Sequence, residues 1–231
     1  VSLTNNANAD DVLRTVFGDE VVALPYRRPG FRISKDVADT LASRPRLRAM
    51  LLQKHGTICW GDTAKDAYLA TIELINRGEE AIAHRARGRT RFGGVAVTPP
   101  AEDERRRVAL AVAPHLRGLV SRERRQVLYF DDAPDVLEFA ASREADALCR
   151  VGPATPDHTI YTKRLPCFVP VDRPGDPEAV KAAVSAGIER FVGEYTRYFE
   201  AHNREGATLV DAHPGVVVVA GLGMFTTGKD R

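Results

Sequence analysis

Apolar runs of about four residues alternate with longer stretches of helical period along the chain, and no other feature constrains the fold as tightly. Such short runs read as strands, and the amphipathic stretches between them must lay one face on the sheet that the strands form. The predicted strands are Val21–Leu24, Ala49–Leu52, 57–60, 127–130 and 216–220, the last taken as the final strand. A first helix carries Val12, Leu13, Val16 and Phe17 on one face, with Asp10 as its cap and Gly18 as its end. Ser34 is expected to cap a second through Val37, Ala38 and Leu41, stopped by Pro45, and Asp62 or Thr63 a long third through Ala67, Ala70, Leu74 and Ile75. Val108, Val112 and Leu116 mark a fourth, and Asp132 with Pro134 opens another through Val136, Leu137 and Ala140. The most regular stripe follows Asp176 and Pro177: Val180, Val184, Ile188, Phe191, Tyr195 and Phe199. This alternation predicts an α/β protein.

Periodicity breaks between residues 85 and 101, where arginines, glycines and prolines crowd together. The reading is therefore a first α/β segment over 1–84, a linker over 85–101 and a second α/β unit over 102–231. The chain opens on Val1 rather than Met and stops at Gly228-Lys229-Asp230-Arg231 just after an apolar strand, so both ends read as cut.

Charge excludes several function classes. Lys and Arg number 33 against 31 for Asp and Glu, and a net charge of +2 gives no field that would hold nucleic acid or an anionic membrane. Arginine clusters at 85–91, 105–107 and 122–125 lack interleaved aromatic residues and read as solvated faces. Three cysteines, Cys59, Cys149 and Cys167, have no CxxC spacing, so neither a disulfide framework nor a thiolate metal site is expected and a reducing cytoplasm fits. No apolar run reaches the ~20 residues of a membrane span, and no signal peptide opens the chain.

The strongest chemical signal is Lys54-His55-Gly56-Thr57-Ile58-Cys59-Trp60-Gly61-Asp62-Thr63. It places an imidazole at a kink between two predicted strands, where a histidine by itself reads as a core or surface residue and a ring nitrogen can also serve as a metal ligand. Gly56 lets backbone approach closely, and Trp60 reads as core rather than as a substrate platform.

A His-Gly pair, a hydrophobic strand, Trp-Gly-Asp-Thr and an alanine-rich helix together resemble the stretch that holds the third metal-binding histidine of class II aldolases and adducin-like proteins. Phe17-Gly18-Asp19-Glu20-Val21-Val22, Leu24-Pro25-Tyr26 and Arg28-Pro29-Gly30-Phe31 resemble, in the same order, the segments preceding that histidine in the bifunctional members. In those, a rhamnulose-phosphate-type aldolase domain is joined to a C-terminal short-chain dehydrogenase domain. Gly152-Pro153-Ala154-Thr155-Pro156-Asp157-His158, Thr162-Lys163 and Pro214-Gly215-Val216 to Gly223 look like the same subfamily, so the resemblance covers nearly the whole chain, most densely up to about residue 81.

The resemblance implies a class II aldolase-like three-layer α/β/α fold with a second, smaller α/β unit. It implies metal-assisted aldol cleavage of a ketose phosphate of the rhamnulose 1-phosphate type, with zinc or another divalent metal and His55 as third ligand. The family's other two metal histidines form a His-x-His motif just before the segment that residues 1–5 resemble, and its catalytic glutamate lies earlier still, upstream of Val1. Neither is in this sequence, so the fragment alone is expected to be inactive. A homo-oligomer is implied, and NAD(P) is expected only in a domain beyond Arg231. The alternatives are a non-catalytic adducin-like assembly module, or a piece of a protein named for its oxidoreductase half.

Asp157, His158 and Lys163 form a second candidate constellation, expected at one loop where they would position a substrate phosphate or carboxylate, with 159–162 read as a strand. Gly221-Leu222-Gly223 invites a dinucleotide-loop reading, but the third glycine spacing is not met, and a turn after a buried strand is expected. His84, His115, His202 and His213 read as surface residues.

Overall fold

A computed structural model describes residues 2–230, and the chain divides into two units. One runs up to Arg89 and includes Ala154–Pro156; the other comprises Thr90–Pro153 and the residues from Asp157 onward. Both are α/β, and within this chain the second is the larger.

The first unit contains α1 (Ala9–Phe17), β1 (Val21–Leu24), α2 (Phe31–Ser43), β2 (Ala49–Leu52), β3 (Gly56–Cys59) and α3 (Ala64–Ala86). The sheet order is β1-β2-β3, with β1 and β2 parallel through the α2 crossover and β2 and β3 an antiparallel hairpin. Alternation along the strands sorts their side chains to two faces. Val21, Ala49 and Leu51 pack with Leu13 and Phe17 of α1 and Leu74 of α3, while Leu24 and Met50 pack with Leu47, Val37 of α2 and Trp60. Helices thus cover both faces, in three layers.

Helix starts differ from expectation in two places. Asn8 is the N-cap of α1, leaving Asp10 as an acidic residue of the first turn. α2 begins at Phe31 because Gly30, at φ 140°, turns the chain directly into it, and Ser34 lies inside the helix. Thr63 caps α3 as expected, in a reciprocal box with Asp66. Along α3, Tyr68, Ile72, Ile75 and Ile82 form an exposed apolar stripe.

The second unit contains α4 (Glu102–Val120), β4 (Val127–Asp131), α5 (Pro134–Ala140), α6 (Ala145–Cys149), α7 (Pro156–Thr162, whose first residue belongs to the first unit), β5 (Cys167–Val169), α8 (Pro177–His202), β6 (Val216–Val219) and β7 (Gly223–Gly228). Its sheet runs β4-β7-β6-β5; β5 and β6 are parallel through α8, and the other pairs are antiparallel. Val217, Val219 and Phe225 face α4 and α8, and Val216, Val218 and Met224 face Ala140 of α5 and Cys149 of α6. Pro114 interrupts α4 on an exposed position, where the freed carbonyl meets water.

Two strands escaped the sequence reading. β7 follows the run taken as the last strand and sits inside the sheet, and β5 is an edge strand of three residues flanked by Pro166 and Pro170. Residues 159–162, read as a strand, belong to the helix α7. Arg105 is not part of a solvated face. Its guanidinium donates through Nε and Nη2 to Asp132 Oδ2 at 3.2 and 3.0 Å and through Nη1 to the Pro100 carbonyl at 2.8 Å, with side chains 12% and 21% exposed. Residues 91–97 bond to 141–144: Ala96 and Val97 donate to the Ala141 carbonyl and Arg143 to that of Gly94.

α8 packs closest on the sheet at Gly187, where an added Cβ would lie 2.9 Å from Val169 Cγ2. Val169 is β-branched and fully buried, so it cannot turn away. Gly187→Ala is expected to cost about 2–3 kcal/mol in strain against about 1 kcal/mol gained in helix propensity, a net loss of about 1–2 kcal/mol by urea denaturation. Gly193→Ala, whose Cβ would meet only Arg197 Nη1 at 3.7 Å, should leave stability equal or higher.

Burial pushes the Cys149 thiol up to about 11 and the Cys167 thiol up to about 12. At pH 8 about one in a thousand Cys149 side chains is thiolate, and fewer for Cys167. Alkylation by iodoacetamide at pH 8 should therefore modify half-buried Cys59 and spare both others until the chain unfolds, as read by mass spectrometry. Because the folded state holds these protons more tightly than the unfolded state, stability should be maintained below pH 9 and decline as pH rises through 11 to 12.

Candidate functional site

His55 sits in the tight turn between β2 and β3. Its N–H donates to the Leu52 carbonyl at 3.0 Å, and Lys54 before it takes φ 64°, which brings the two antiparallel strands together in few residues. The ring stacks on Tyr26 with centroids 5.3 Å apart and planes 19° from parallel. Its Nε2 lies 2.7 Å from the Arg27 carbonyl oxygen. A carbonyl only accepts, so Nε2 carries the proton and Nδ1 of the neutral ring keeps its lone pair. Arg27 is itself anchored by donating to Asp36 of α2 at 3.0 Å. The backbone carbonyl orients the ring and leaves Nδ1 as the nitrogen able to accept a bond.

A catalytic zinc takes three protein ligands and one open position. Among the described residues no group of three His, Cys, Asp or Glu side chains is placed to hold a metal ion. The residues present supply one imidazole and do not make up a complete metal centre. Trp60 packs beside Leu24, Leu47 and Met50, in keeping with a core role.

Asp157 and His158 lie exposed in the first turn of α7, and Lys163 follows its last residue, about 8 Å further along the axis from His158. Lys163 adopts φ 66° and directs its ammonium over the Tyr195 ring, 5.2 Å from the centroid. Burial lowers its pKa below the ordinary 10.5; Asp211 opposes that shift and Arg124 adds to it. The company of Lys163 is therefore Tyr195 and Asp211, neither of which the sequence reading singled out. Asp211 Oδ1 accepts from the backbone N–H of His213 at 2.8 Å and faces its Nδ1 at 2.9 Å, with both side chains largely buried. A carboxylate that holds one imidazole nitrogen in this way leaves the other to accept a proton. The signal in the sequence was Asp211-Ala212-His213, a spacing that also occurs by chance in loops.

His115 and His213, read as surface residues, are half-buried. His115 of α4 bonds through Nε2 to Ser185 Oγ of α8 at 2.8 Å and so joins the two long helices of the second unit. His202 contacts the Tyr198 carbonyl one turn earlier in α8. Gly221-Leu222-Gly223 closes the β6–β7 hairpin. The strand β7 follows it directly where a dinucleotide loop would open a helix, and Gly221 at φ 69° leaves no room for a Cβ beside Val97 and Pro174. No helix among the described residues is long and apolar enough to cross a membrane.

Residues 4–82 match the family described as Class II Aldolase and Adducin N-terminal domain, and residues 107–231 match Aldolase class II, second domain. A relative from Bacillus subtilis (strain 168), named "Uncharacterized oxidoreductase YuxG", is 36% identical over 231 residues, covering 99% of this chain and 33% of its own length. The chain thus spans about a third of the curated relative it matches. No solved structure matches it. With the His55 hairpin unit inside the first match and nearly all of the second unit inside the other, the chain belongs to the class II aldolase/adducin family, a family of lyase-type enzymes.

Proposed function

We propose that the protein is a class II aldolase that cleaves a ketose phosphate of the rhamnulose 1-phosphate type, with His55 as one protein ligand of a divalent metal such as zinc. The observation that carries the reading is the fixed tautomer of His55: Nε2–H is committed to the Arg27 carbonyl and Nδ1 keeps a lone pair, on a hairpin turn backed by two helical layers. The remaining ligands and the catalytic glutamate are proposed to come from outside the described residues, and no step of the reaction is assigned to this chain alone. Asp157, His158 and Lys163 are proposed as substrate-binding residues, with the ammonium of Lys163 the one to meet the substrate anion. The partial desolvation of Lys163, which strengthens the pull of its ammonium on an anion, supports that role. Oligomeric assembly is in keeping with the exposed apolar stripe of α3, and a cytoplasmic location with the three free cysteines.

A second reading concerns the longer protein. The relative's printed name is that of an oxidoreductase, and this chain covers a third of it. We infer that the aldolase part is joined to a short-chain dehydrogenase part that binds NAD(P) beyond Arg231. A non-catalytic adducin-like role is the competing outcome of the test below.

The test uses the longer protein that contains this chain. His55→Ala is expected to lower aldol cleavage of rhamnulose 1-phosphate by at least about a hundredfold and to reduce bound divalent metal, measured by coupled assay and metal analysis. The fold should survive, because the loss of one half-exposed hydrogen bond to the Arg27 carbonyl costs about 1 kcal/mol. Full activity in that variant would reject the role of His55, and absence of cleavage and of metal in the parent protein would favour the adducin-like reading.

A further inference from the structure

One pocket of the second unit shares Tyr195 with the surroundings of Lys163 but is otherwise unused by the reading above. It lies between α6, the segment leading into β5, and α8, and its space measures about 640 Å³ including the part open to solvent. Its floor is neutral and apolar. Cys149 and Cys167 are buried there with their protons retained, and Phe168 joins them. One wall is aromatic: the rings of Phe191 and Tyr195 on α8 stack within 5° of parallel at 6.0 Å, and Tyr198 continues the row.

The lining carries three arginines and two carboxylates, leaving one net positive charge. Arg150 is taken up by Asp146 at 3.1 Å. Arg190 donates through Nη2 to the Phe168 carbonyl at 3.0 Å, which fixes the guanidinium while leaving its other N–H groups free to donate. Arg164 lies over the Tyr198 ring at 4.9 Å. Among the described residues neither Arg164 nor Arg190 is paired with a carboxylate, and Glu194 on the same lining has no ion-pair partner either. Two oriented guanidinium groups against the single carboxylate of Glu194 leave one positive charge beside an apolar floor, which suits a ligand that is singly anionic at one end.

We propose that this pocket binds a small carboxylate with a planar apolar body, the body resting on the floor of Cys149, Cys167 and Phe168 beside the α8 aromatic wall and the carboxylate toward Arg164 and Arg190. A polyhydroxylated body would set hydroxyls against the thiols and Phe168 of the floor, whereas a planar apolar body meets that floor without an unpaired polar group. Inorganic phosphate would satisfy the arginines and leave the floor and wall unused. The pocket is lined by residues of the second unit alone, and binding there does not depend on the role of His55.

The experiment is an amide-resolved NMR titration of the longer protein that contains this chain with benzoate, with benzamide as its uncharged counterpart, and with inorganic phosphate. Benzoate is expected to shift the amides of Cys149, Arg164, Gly187 and Tyr195 saturably, with a Kd of about 1 mM or lower, as suits a ligand of so few atoms. Benzamide and phosphate should each bind at least about tenfold more weakly, the first lacking the charge and the second the apolar body. Arg164→Met should weaken benzoate by about tenfold with the rest of the spectrum unchanged, since the Arg164 side chain makes only the ring contact with Tyr198. Arg190→Met is the second variant, with its fold checked first because Arg190 also holds the Phe168 carbonyl. Benzamide or phosphate binding as tightly as benzoate, unchanged affinity in Arg164→Met, or no saturable shift up to about 10 mM benzoate would each overturn the proposal.

Discussion

A strand buried on both faces needs a helical layer on each side, and this requirement organises both units. In the first, β2 carries it: Ala49 and Leu51 are buried toward α1 and α3, and Met50, with no exposed surface, is buried toward α2. In the second, Val216 to Val219 on β6 divide between the α4–α8 layer and the α5–α6 layer. Four consecutive apolar residues are the sequence form of this constraint, because alternation would leave one face polar. The positions of the helices follow from it, and with them the edges at which turns and side chains are free to do chemistry.

His55 depends on that frame. The turn that carries it is short because β2 and β3 are hydrogen-bonded neighbours, and Lys54 accepts a left-handed conformation to close it. The carbonyl of Arg27 reaches the ring because β1 runs parallel to β2 and ends beside the same turn, a relation that Gln53 reinforces by donating to the Leu24 carbonyl at 3.0 Å. The tautomer of the histidine is thus set by sheet topology rather than by any residue beside it in the sequence. Partnership with an outside metal would use a nitrogen already aimed, at little cost in ordering.

In the second unit the polar groups that matter are gathered from distant segments. Lys163 lies after α7, Tyr195 on α8 and Asp211 in the loop before β6, and what joins them is the packing of α8 across the sheet. The pocket of Arg164 and Arg190 is likewise assembled from α6, the approach to β5 and α8, with Gly187 allowing the helix to come close enough to form its floor. Neither grouping has a spacing that a linear reading could detect.

The sequence by itself determined the class of the fold and the strands that are buried on both faces: Val21–Leu24 and Ala49–Leu52 fall where the apolar runs lie, and Thr63, Asp176 and Pro177 start their helices as their side chains dictate. It also singled out His55 as a candidate, through the family resemblance of the residues around it. Tertiary structure alone decided the rest. β5 and β7 became strands because sheet partners supplied the hydrogen bonds that three residues between prolines, or a run with threonines, would not secure on their own. Residues 159–162 became helix although their polar–apolar alternation suited a strand, since seven residues with little burial leave too weak a periodicity to choose between the two. Lys163 met Asp211 and Tyr195 rather than Asp157 because electrostatic company is a property of distance in space, and distance in space is set by how helices lie on a sheet.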